Sequence, residues 1–433
     1  MSKANPMAAM AQISHWIGVR RVPGAESAIC IWENGKCRGD GPRRAGDKVY
    51  FTMVPFDFQL RTRTIFGGHA ADRVGSLARE SGFRHTLLVA DPGIVEAGHA
   101  AAVQRSLEGA SVAVVLFSDF AENPDSAMVG RGAAFARQHG PFYSIVAVGG
   151  GSSLDCAKGI NFLLTNGGEM RQYRGYGKAA TPLLPAIGIP TTAGTGSEAQ
   201  SYAVIADAAT HMKMACGDPS AAFRIAILDP ELTASAPPAV TATAGIDAIA
   251  HAVETAVTTR RTPVSDTFSH QAWRLLADGF ERVIVHPTDM EARAMLQLGA
   301  YFAGVAIEQS MLGAAHACAN PLTARVGLTH GIALAVLLPH VVRWNGSVAA
   351  DRYSALLGSP HRRARDAEAP ETLATRLEDF AVAGGLPARL SDLGVGEEML
   401  QELAELAAEQ WTGTFNPRPF DAAGALEIYR AAF

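Results

Sequence analysis

The sequence predicts an α/β domain built on a Rossmann-like parallel sheet, followed by an all-helical domain. Short apolar runs alternate with helical segments through the first half of the chain, which is typical of βαβ units. Strand signals almost vanish after "ILDPELTASAPPAV", residues 227–240. With 433 residues, 48% of them hydrophobic, the chain is long enough to bury the cores of two or three domains.

Three apolar runs in the first half predict strands of one sheet. They are "HTLLVADPGI", "ASVAVVLFSDF" and "FYSIVAVGGGSS", and helical segments at 96–107 and 126–139 separate them. The runs are apolar along their whole length rather than at alternate positions. The sheet is therefore expected to be parallel, with helices covering both of its faces.

The change in composition also predicts the domain boundaries. Residues 1–60 form an amino-terminal extension with a hairpin, because "WENGK" contains the Asn-Gly pair that favours a tight β-turn. Residues 61–235 form the α/β domain. Residues 236–433 form the helical domain, in which Ala, Leu and Glu dominate between Pro and Gly clusters.

Charge, hydropathy and cysteine usage exclude several classes of protein. The net charge is −5, with no long basic run, so a nucleic-acid partner is not expected. No apolar run approaches the ~20 residues that span a bilayer, and the amino terminus lacks a signal-peptide core. The five cysteines favour a reducing compartment, so we expect a cytoplasmic protein. Cys30 and Cys37 flank the predicted hairpin and are interpreted as free thiols rather than a disulfide.

A glycine loop follows the third apolar run and opens a helix in "VAVGGGSSLDCAKGIN". Glycines allow close backbone approach, and the free amides and dipole of a helix start attract a diphosphate. The residues of this candidate phosphate loop are Gly149, Gly150, Gly151, Ser152 and Ser153. It matches neither G-x-G-x-x-G nor G-x-x-x-x-G-K-[ST]. The alternative is a glycine-rich turn without a ligand.

Two further loops follow strands of the same predicted sheet. Asp91 ends "LLVAD", where it could accept hydrogen bonds from a ribose diol and repel a 2′-phosphate, which favours NAD over NADP. Alternatively, Asp91 only caps the helix after Pro92. The loop "PTTAGTGSE" contributes Thr191, Thr192 and Thr195, which could hold ribose and phosphate or simply face solvent.

The helical half contains a candidate metal site. Asp247 and His251 in "GIDAIAHAVE" are four residues apart and share one helix face. His316 and His330 follow, 14 residues apart, in apolar sequence. One carboxylate and three imidazoles suit Fe²⁺ or Zn²⁺ rather than Mg²⁺ or Ca²⁺. Taken singly, each histidine is better explained as an ordinary core or surface residue.

Together these motifs resemble the iron-dependent, or group III, alcohol dehydrogenase family. The resemblance covers about residues 60–430 and rests on "FGGHA", "SDFAENP", "GGGSSLDCAK", "PTTAGTGSE", "ILDPELTASAPP", "GIDAIAHAVE", "HACANPL", "THGIALAVLLPHVVRWN" and "NPRP" in this order. It implies a dinucleotide-binding domain, a helical metal-binding domain, and catalysis in the cleft between them. It further implies a homodimer.

The resemblance also assigns roles to residues of this chain. It implies metal ligands at Asp247, His251, His316 and His330, and the diphosphate at Gly149 to Ser153. It places Asp91 and Asn123 near the adenosine ribose, and it places Thr191, Thr192, Thr195 and Lys213 along the cofactor cleft. The sequence departs from the family at Asn320, where many members have a histidine that assists proton transfer. A neutral amide cannot act as a general base.

The predicted reaction is reversible hydride transfer between NAD(H) and an alcohol or the matching aldehyde or ketone, with no catalytic side chain beyond the metal centre. Two alternatives keep the fold: a hydroxyacid–oxoacid transhydrogenase and a dehydroquinate-synthase-like enzyme that uses NAD transiently. A metal-dependent hydrolase or a non-catalytic metal-binding scaffold ranks last, because the glycine and threonine loops would have no purpose in it.

Overall fold

The computed structural model describes residues 55–358 and 367–433, together with two short strands nearer the amino terminus. Residues 1–55 and 56–433 form separate compact units. In the first unit, strands β1 (Trp32–Glu33) and β2 (Lys36–Cys37) pair in antiparallel fashion, which agrees with the predicted hairpin; residues 34–35 between them lie outside the described residues. Cys30 and the rest of the extension up to residue 54 lie outside the described residues.

The second unit contains a six-stranded parallel sheet in its described residues, as the sequence predicts. Its strands and those of a smaller sheet are β3 (Arg63–Phe66), β4 (His85–Val89), β5 (Ala113–Phe117), β6 (Ser144–Gly149), β7 (Gly175–Tyr176), β8 (Ala186–Pro190), β9 (Tyr202–Ala206), β10 (Lys213–Gly217) and β11 (Ile225–Leu228). The order of the main sheet is β3-β11-β8-β6-β4-β5. After β4 the chain adds β5 on one side and β6 on the other, so the direction of winding reverses between β4 and β6.

Helices cover both faces of this sheet. The helices of the second unit are α1 (Val74–Glu80), α2 (Pro92–Glu96), α3 (His99–Gly109), α4 (Ser126–His139), α5 (Gly151–Asn166), α6 (Pro238–Thr255), α7 (Pro263–Val285), α8 (Met290–Gln309), α9 (Ala314–Val326), α10 (His330–Leu356), α11 (Ala369–Ala383), α12 (Leu400–Ala408) and α13 (Ala422–Ala431). Successive strand residues enter different cores: Leu87 packs with helices α4 and α5, whereas Leu88 packs with α1 and α3. This two-sided burial explains the uninterrupted apolar runs.

A second, three-stranded sheet is absent from the sequence prediction. Strand β10 lies between β7, to which it is parallel, and β9, to which it is antiparallel. The sequence pattern of this small sheet is weak because β7 has only two residues, and because β9 and β10 are only partly buried. The hairpin of β9 and β10 carries Tyr202 and Lys213.

The helical half has one large apolar core formed by α6 to α13. The last strand ends at Leu228 and α6 begins at Pro238; the boundary near residue 235 stays a prediction. Among the described residues, α10 alone is long and apolar enough to cross a membrane by length and composition, yet 61% of that window is buried inside the protein. A buried core helix passes the same test, so this finding is weak evidence for a membrane span.

Candidate metal centre and cofactor cleft

Helix α6 places the first two candidate ligands. Pro238 at its first position fits a helix start, and nearly every residue from Gly245 to Thr255 is buried. Asp247 and His251 are 7% and 5% exposed and lie one turn apart on the same face. Burying two polar side chains in such a helix costs several kcal/mol unless they find partners.

Two further helices bring imidazoles to Asp247. His316 lies in the first turn of α9, and His330 is the first residue of α10. The Nε2 atoms of His251, His316 and His330 lie 3.3, 3.5 and 3.9 Å from Asp247 Oδ1. Asp247, His251 and His316 offer ligand atoms that all lie within 4.8 Å of one another. The structure therefore brings the four predicted side chains together around one point.

The residues present fit a divalent metal ion. Tetrahedral ligands at ~2.1 Å from an ion lie ~3.4 Å from each other, which is close to the observed separations. Within the described part of the chain, the buried Asp247 Oδ1 and His316 Nε2 have no hydrogen-bond partner. Buried polar atoms rarely remain unpaired. A nitrogen-rich donor set with one carboxylate suits Fe²⁺ or Zn²⁺.

The electrostatics of the site also suit a cation. Burial lowers the pKa of His251 to about 4 and lowers the pKa of His330, which keeps both imidazoles neutral, as metal ligands must be. Burial also opposes a charge on His316, but the carboxylates of Glu254 and Asp247 raise its pKa to about 9. A proton and a divalent cation compete for the same Nε2 lone pair.

The candidate cofactor loops meet where the winding of the sheet reverses. Asp91 follows β4 and accepts a hydrogen bond from Ser153 Oγ, 2.7 Å away, at the start of α5. In open parallel sheets, ligands bind at such a switch point beyond the carboxyl ends of the strands. Asp91 also caps α2 by accepting from Ile94 N, so the capping interpretation is correct whether or not Asp91 binds ribose.

Packing within the protein by itself explains why this loop contains glycines. Gly149 has φ +143°, which L-residues rarely adopt, and a Cβ on Gly151 would lie 2.5 Å from Thr195 Cγ2. The backbone of Thr191 donates to Gly149 O at 3.0 Å, so the loops after β6 and β8 contact each other. The fold thus requires glycine at positions 149 and 151 whether or not a ligand binds.

A cavity of about 200 Å³ joins the loops to the cluster around Asp247. Of the predicted residues, those that line it are Asn123, Gly151, Ser152, Thr195, Lys213, Asp247, His251, His316 and His330. The other predicted cofactor residues, Asp91, Gly149, Gly150, Ser153, Thr191 and Thr192, are not among its lining residues and lie in the loops just described. One cavity therefore contains both a phosphate-type helix start and a metal-type donor set.

Two family models together match most of the chain from residue 61 to its carboxyl end. "Iron-containing alcohol dehydrogenase" matches residues 61–230, and "Fe-containing alcohol dehydrogenase family, C-terminal" matches residues 241–433. The chain belongs to the iron-containing alcohol dehydrogenase family. The predicted family, fold class and enzyme class are thereby confirmed.

Individual relatives agree with this family. Alcohol dehydrogenase 4 of Schizosaccharomyces pombe is 34% identical over 361 residues, which are 83% of this chain and 85% of the relative. NAD-dependent methanol dehydrogenase of Bacillus methanolicus is 33% identical and covers 84% of this chain and 96% of its own length. The crystal structure of a 1,3-propanediol oxidoreductase superposes with a TM-score of 0.84 at 31% identity, covering 88% of this chain and 100% of that one.

Several cavity residues of this iron-containing alcohol dehydrogenase were not predicted as site residues. Among them are Asp155, Tyr202, Gln410, Trp411 and Thr412. The last three lie at the start of a short 3-10 helix, Trp411–Phe415, and no sequence pattern indicates that it reaches the cleft. Glu254, which contacts His316, was also missed; its spacing of seven residues from Asp247 on one helix face could have identified it.

Asn320 also lines the cavity, one helical turn after His316. Its Nδ2 donates to Gln410 Oε1 at 3.3 Å, and Gln410 Nε2 donates to Leu406 O. The Leu406 carbonyl can only accept, so it sets the orientation of both amides. Asn320 is therefore held as a hydrogen-bonding group beside the candidate metal centre.

The loop that contains Thr195 also contains Glu198, and this buried carboxyl group should make the stability of the protein depend on pH. Burial raises the pKa of Glu198 from 4.5 to about 7. The folded chain therefore binds more protons than the unfolded chain between these values, and the free energy of unfolding falls as pH rises through this window. Because one pKa unit corresponds to ~1.4 kcal/mol, Glu198→Gln should flatten this decline measurably in urea unfolding at pH 5 and pH 7.

Glu122→Gln provides the matched control, because Glu122 is exposed and its replacement should leave the pH profile unchanged. An identical pH dependence in wild type and Glu198→Gln would contradict the prediction.

Proposed function

We propose that this protein is a metal-dependent, NAD-linked alcohol dehydrogenase that interconverts an alcohol with the matching aldehyde or ketone. One observation carries the proposal: the donor cluster of Asp247, His251, His316 and His330 opens into the same cavity as the start of α5. Family membership supports the same reaction class.

In this proposal the four clustered side chains hold the divalent ion, and the loops after β4, β6 and β8 hold the dinucleotide. When bound, the metal supplies Lewis acidity that favours the alkoxide form of an alcohol, and NAD accepts the hydride. The side chains and helices of the protein position the cofactor and set the electrostatic environment of the cavity. Helix α5 directs its free amides and positive dipole end towards the cofactor diphosphate, and Lys213 adds a cation to the cavity wall.

Apolar side chains from α8 and the loop that follows form another wall of the cavity. Ile307, Met311 and Leu312 exclude water there, which strengthens electrostatic interactions inside the cleft. Asn320 orients a substrate by hydrogen bonding but cannot take its proton. Burial raises the pKa of Tyr202 to about 12, so its phenol stays protonated at neutral pH. The proton of the alcohol therefore leaves through water or a cofactor hydroxyl.

The finer assignments are part of the proposal. We propose NAD over NADP, since the Asp91 carboxylate has about four acceptor positions and the protein occupies two of them. We propose Fe²⁺ or Zn²⁺ as the metal, a cytoplasmic location and a homodimer. The domains at 61–235 and 236–433 are proposed to contribute the cofactor side and the metal side of the cleft.

The test uses full-length protein purified without oxygen. Metal analysis is combined with NADH formation over short alcohols, diols and hydroxyacids. The proposal expects about one divalent ion per chain and NADH accumulation with simple alcohols. Hydride exchange between a hydroxyacid and an oxoacid without NADH accumulation would favour a transhydrogenase instead.

Cofactor binding gives a second expected result. NAD⁺ at 100 times its dissociation constant should raise the free energy of unfolding by ~2.7 kcal/mol, because a ligand of the folded state stabilises it by mass action. Thermal unfolding with and without NAD⁺ measures this effect, and AMP alone provides a weaker-binding control. No protection at any NAD⁺ concentration would contradict an NAD-linked function and would favour a hydrolase or a metal-binding scaffold.

A further inference from the structure

We propose that Glu254 is a positioning residue that fixes the tautomer of His316 and thereby sets the affinity of the metal centre. This inference rests on the proposed metal site, but it concerns a residue that is not one of the four candidate ligands. Glu254 lies seven residues after Asp247 on α6, so both side chains project from one face of that helix. It is 3% exposed.

Both oxygens of the Glu254 carboxylate are used at the start of α9. Oε2 lies 2.6 Å from His316 Nδ1, and Oε1 accepts from Ala315 N at 2.7 Å. A carboxylate at a helix start also gains from the helix dipole. One side chain therefore holds the backbone and the imidazole of neighbouring residues in the same turn.

This arrangement decides which nitrogen of His316 carries the proton. An ionised carboxylate only accepts hydrogen bonds, so Nδ1 must be the protonated atom. In a neutral imidazole the lone pair then lies on Nε2, which points to Asp247 Oδ1 at 3.5 Å. Metal-binding histidines commonly receive their orientation from such a carboxylate.

The surroundings leave the helix start little freedom to move. Asn416, in the "NPRP" motif, accepts from Ala314 N at 3.2 Å and is itself bonded to Asn345. A Cβ on Gly313 would lie 3.0 Å from Asn416 Oδ1 and 3.1 Å from Glu254 Oε1. Two buried acceptors thus satisfy two successive free amides of α9, and Gly313 leaves room for both.

Glu254→Gln separates the hydrogen-bonding role of this side chain from its volume. The amide has nearly the same shape but only one acceptor oxygen, whereas Ala315 N and His316 Nδ1 are both donors. If the amide nitrogen faces His316, Nδ1 must become the acceptor, and the proton moves to Nε2. If it faces Ala315, two donors oppose each other. Either arrangement weakens the site.

The experiment measures Zn²⁺ transfer from full-length, Zn²⁺-loaded protein to a chromogenic chelator. We expect Glu254→Gln to raise the Zn²⁺ dissociation constant about 10- to 100-fold, the usual effect of losing such a partner. The dissociation constant for NAD⁺ should stay within about twofold of wild type, because the cofactor loops do not contact Glu254. Glu254→Asp keeps an anionic acceptor and should weaken Zn²⁺ binding less.

Glu308→Gln is the matched control. Glu308 is partly buried and, like Glu254, its carboxylate accepts two hydrogen bonds, but both come from Ser201 rather than from a histidine, so its variant should keep the wild-type Zn²⁺ affinity. Folded Glu254→Gln and Glu254→Asp proteins with wild-type Zn²⁺ affinity would overturn the inference, even if they unfold more easily. Should Glu254→Gln fail to fold, the shift expected for Glu254→Asp decides. A wild-type protein that binds no Zn²⁺ or Fe²⁺ would instead contradict the metal centre itself.

Discussion

His251→Ala and His316→Ala, singly and together, should abolish metal loading and alcohol oxidation while leaving NAD⁺ binding nearly unchanged. Each substitution removes an imidazole whose Nε2 lies within 3.5 Å of Asp247 Oδ1. Lewis-acid stabilisation contributes several kcal/mol to such reactions, so turnover should fall by about 10³-fold or more. Metal analysis, NADH formation and NAD⁺ titration measure the three quantities on the same preparations.

His139→Ala tests whether losing any histidine has this effect. His139 is exposed at the end of α4 and stacks on Phe135, with ring centroids 4.1 Å apart. Its variant should retain metal and turnover. A double variant of His251 and His316 that oxidises alcohols without bound metal would contradict the proposed function, since the proposed reaction depends on the ion.

Lys158→Met should cause the largest loss of stability among single substitutions in the cofactor half. The Lys158 ammonium is 2% exposed. It donates to Ser197 O, Gln200 O and Tyr202 O at 2.7 to 2.8 Å and lies 3.0 Å from Ser197 Oγ. Methionine matches the length of lysine but has no donor. Leaving these buried acceptors unpaired should cost about 3 kcal/mol in the free energy of unfolding.

The same substitution should weaken NAD⁺ binding, because Lys158 holds the loop that carries Thr195. Lys178→Met is the control: Lys178 is exposed, and its loss should change stability by less than ~0.5 kcal/mol. Urea unfolding measures both variants. A loss below ~1 kcal/mol for Lys158→Met would mean that these hydrogen bonds do not anchor the loop.

The parallel sheet could be predicted because the burial of each strand on both faces leaves an apolar run in that strand's own sequence. Leu87 and Leu88 are both fully buried, on opposite faces, and this forces an apolar run that is visible in the sequence. The sheet of β7, β9 and β10 gives no such signal. Strand β7 has only two residues and pairs with β10 from about 40 positions away in the chain, and β9 and β10 are partly exposed.

The metal site likewise has a part that local sequence indicates and a part that only tertiary packing determines. Asp247 and His251 are linked by helical spacing, whereas His316 and His330 were selected only by their apolar surroundings and became specific with the family resemblance, because nothing local brings three helices together. Gln410 and Thr412 reach the cavity from the start of the short 3-10 helix Trp411–Phe415 near the carboxyl terminus, and only tertiary packing decides that position. Glu254 was overlooked although it shares a helix face with Asp247, because its partner on α9 is set by tertiary packing.

The four candidate ligands belong to three helices, and His251 and His316 are about 65 positions apart in the chain. An ion held by all of them acts as a crosslink that closes long loops, much as a disulfide does in secreted proteins. Metal supply would then govern the lifetime of the enzyme as well as its chemistry. When the cell lacks this metal, we expect proteases to cut the apoprotein in its loosened helical half faster than they cut the metal-bound protein.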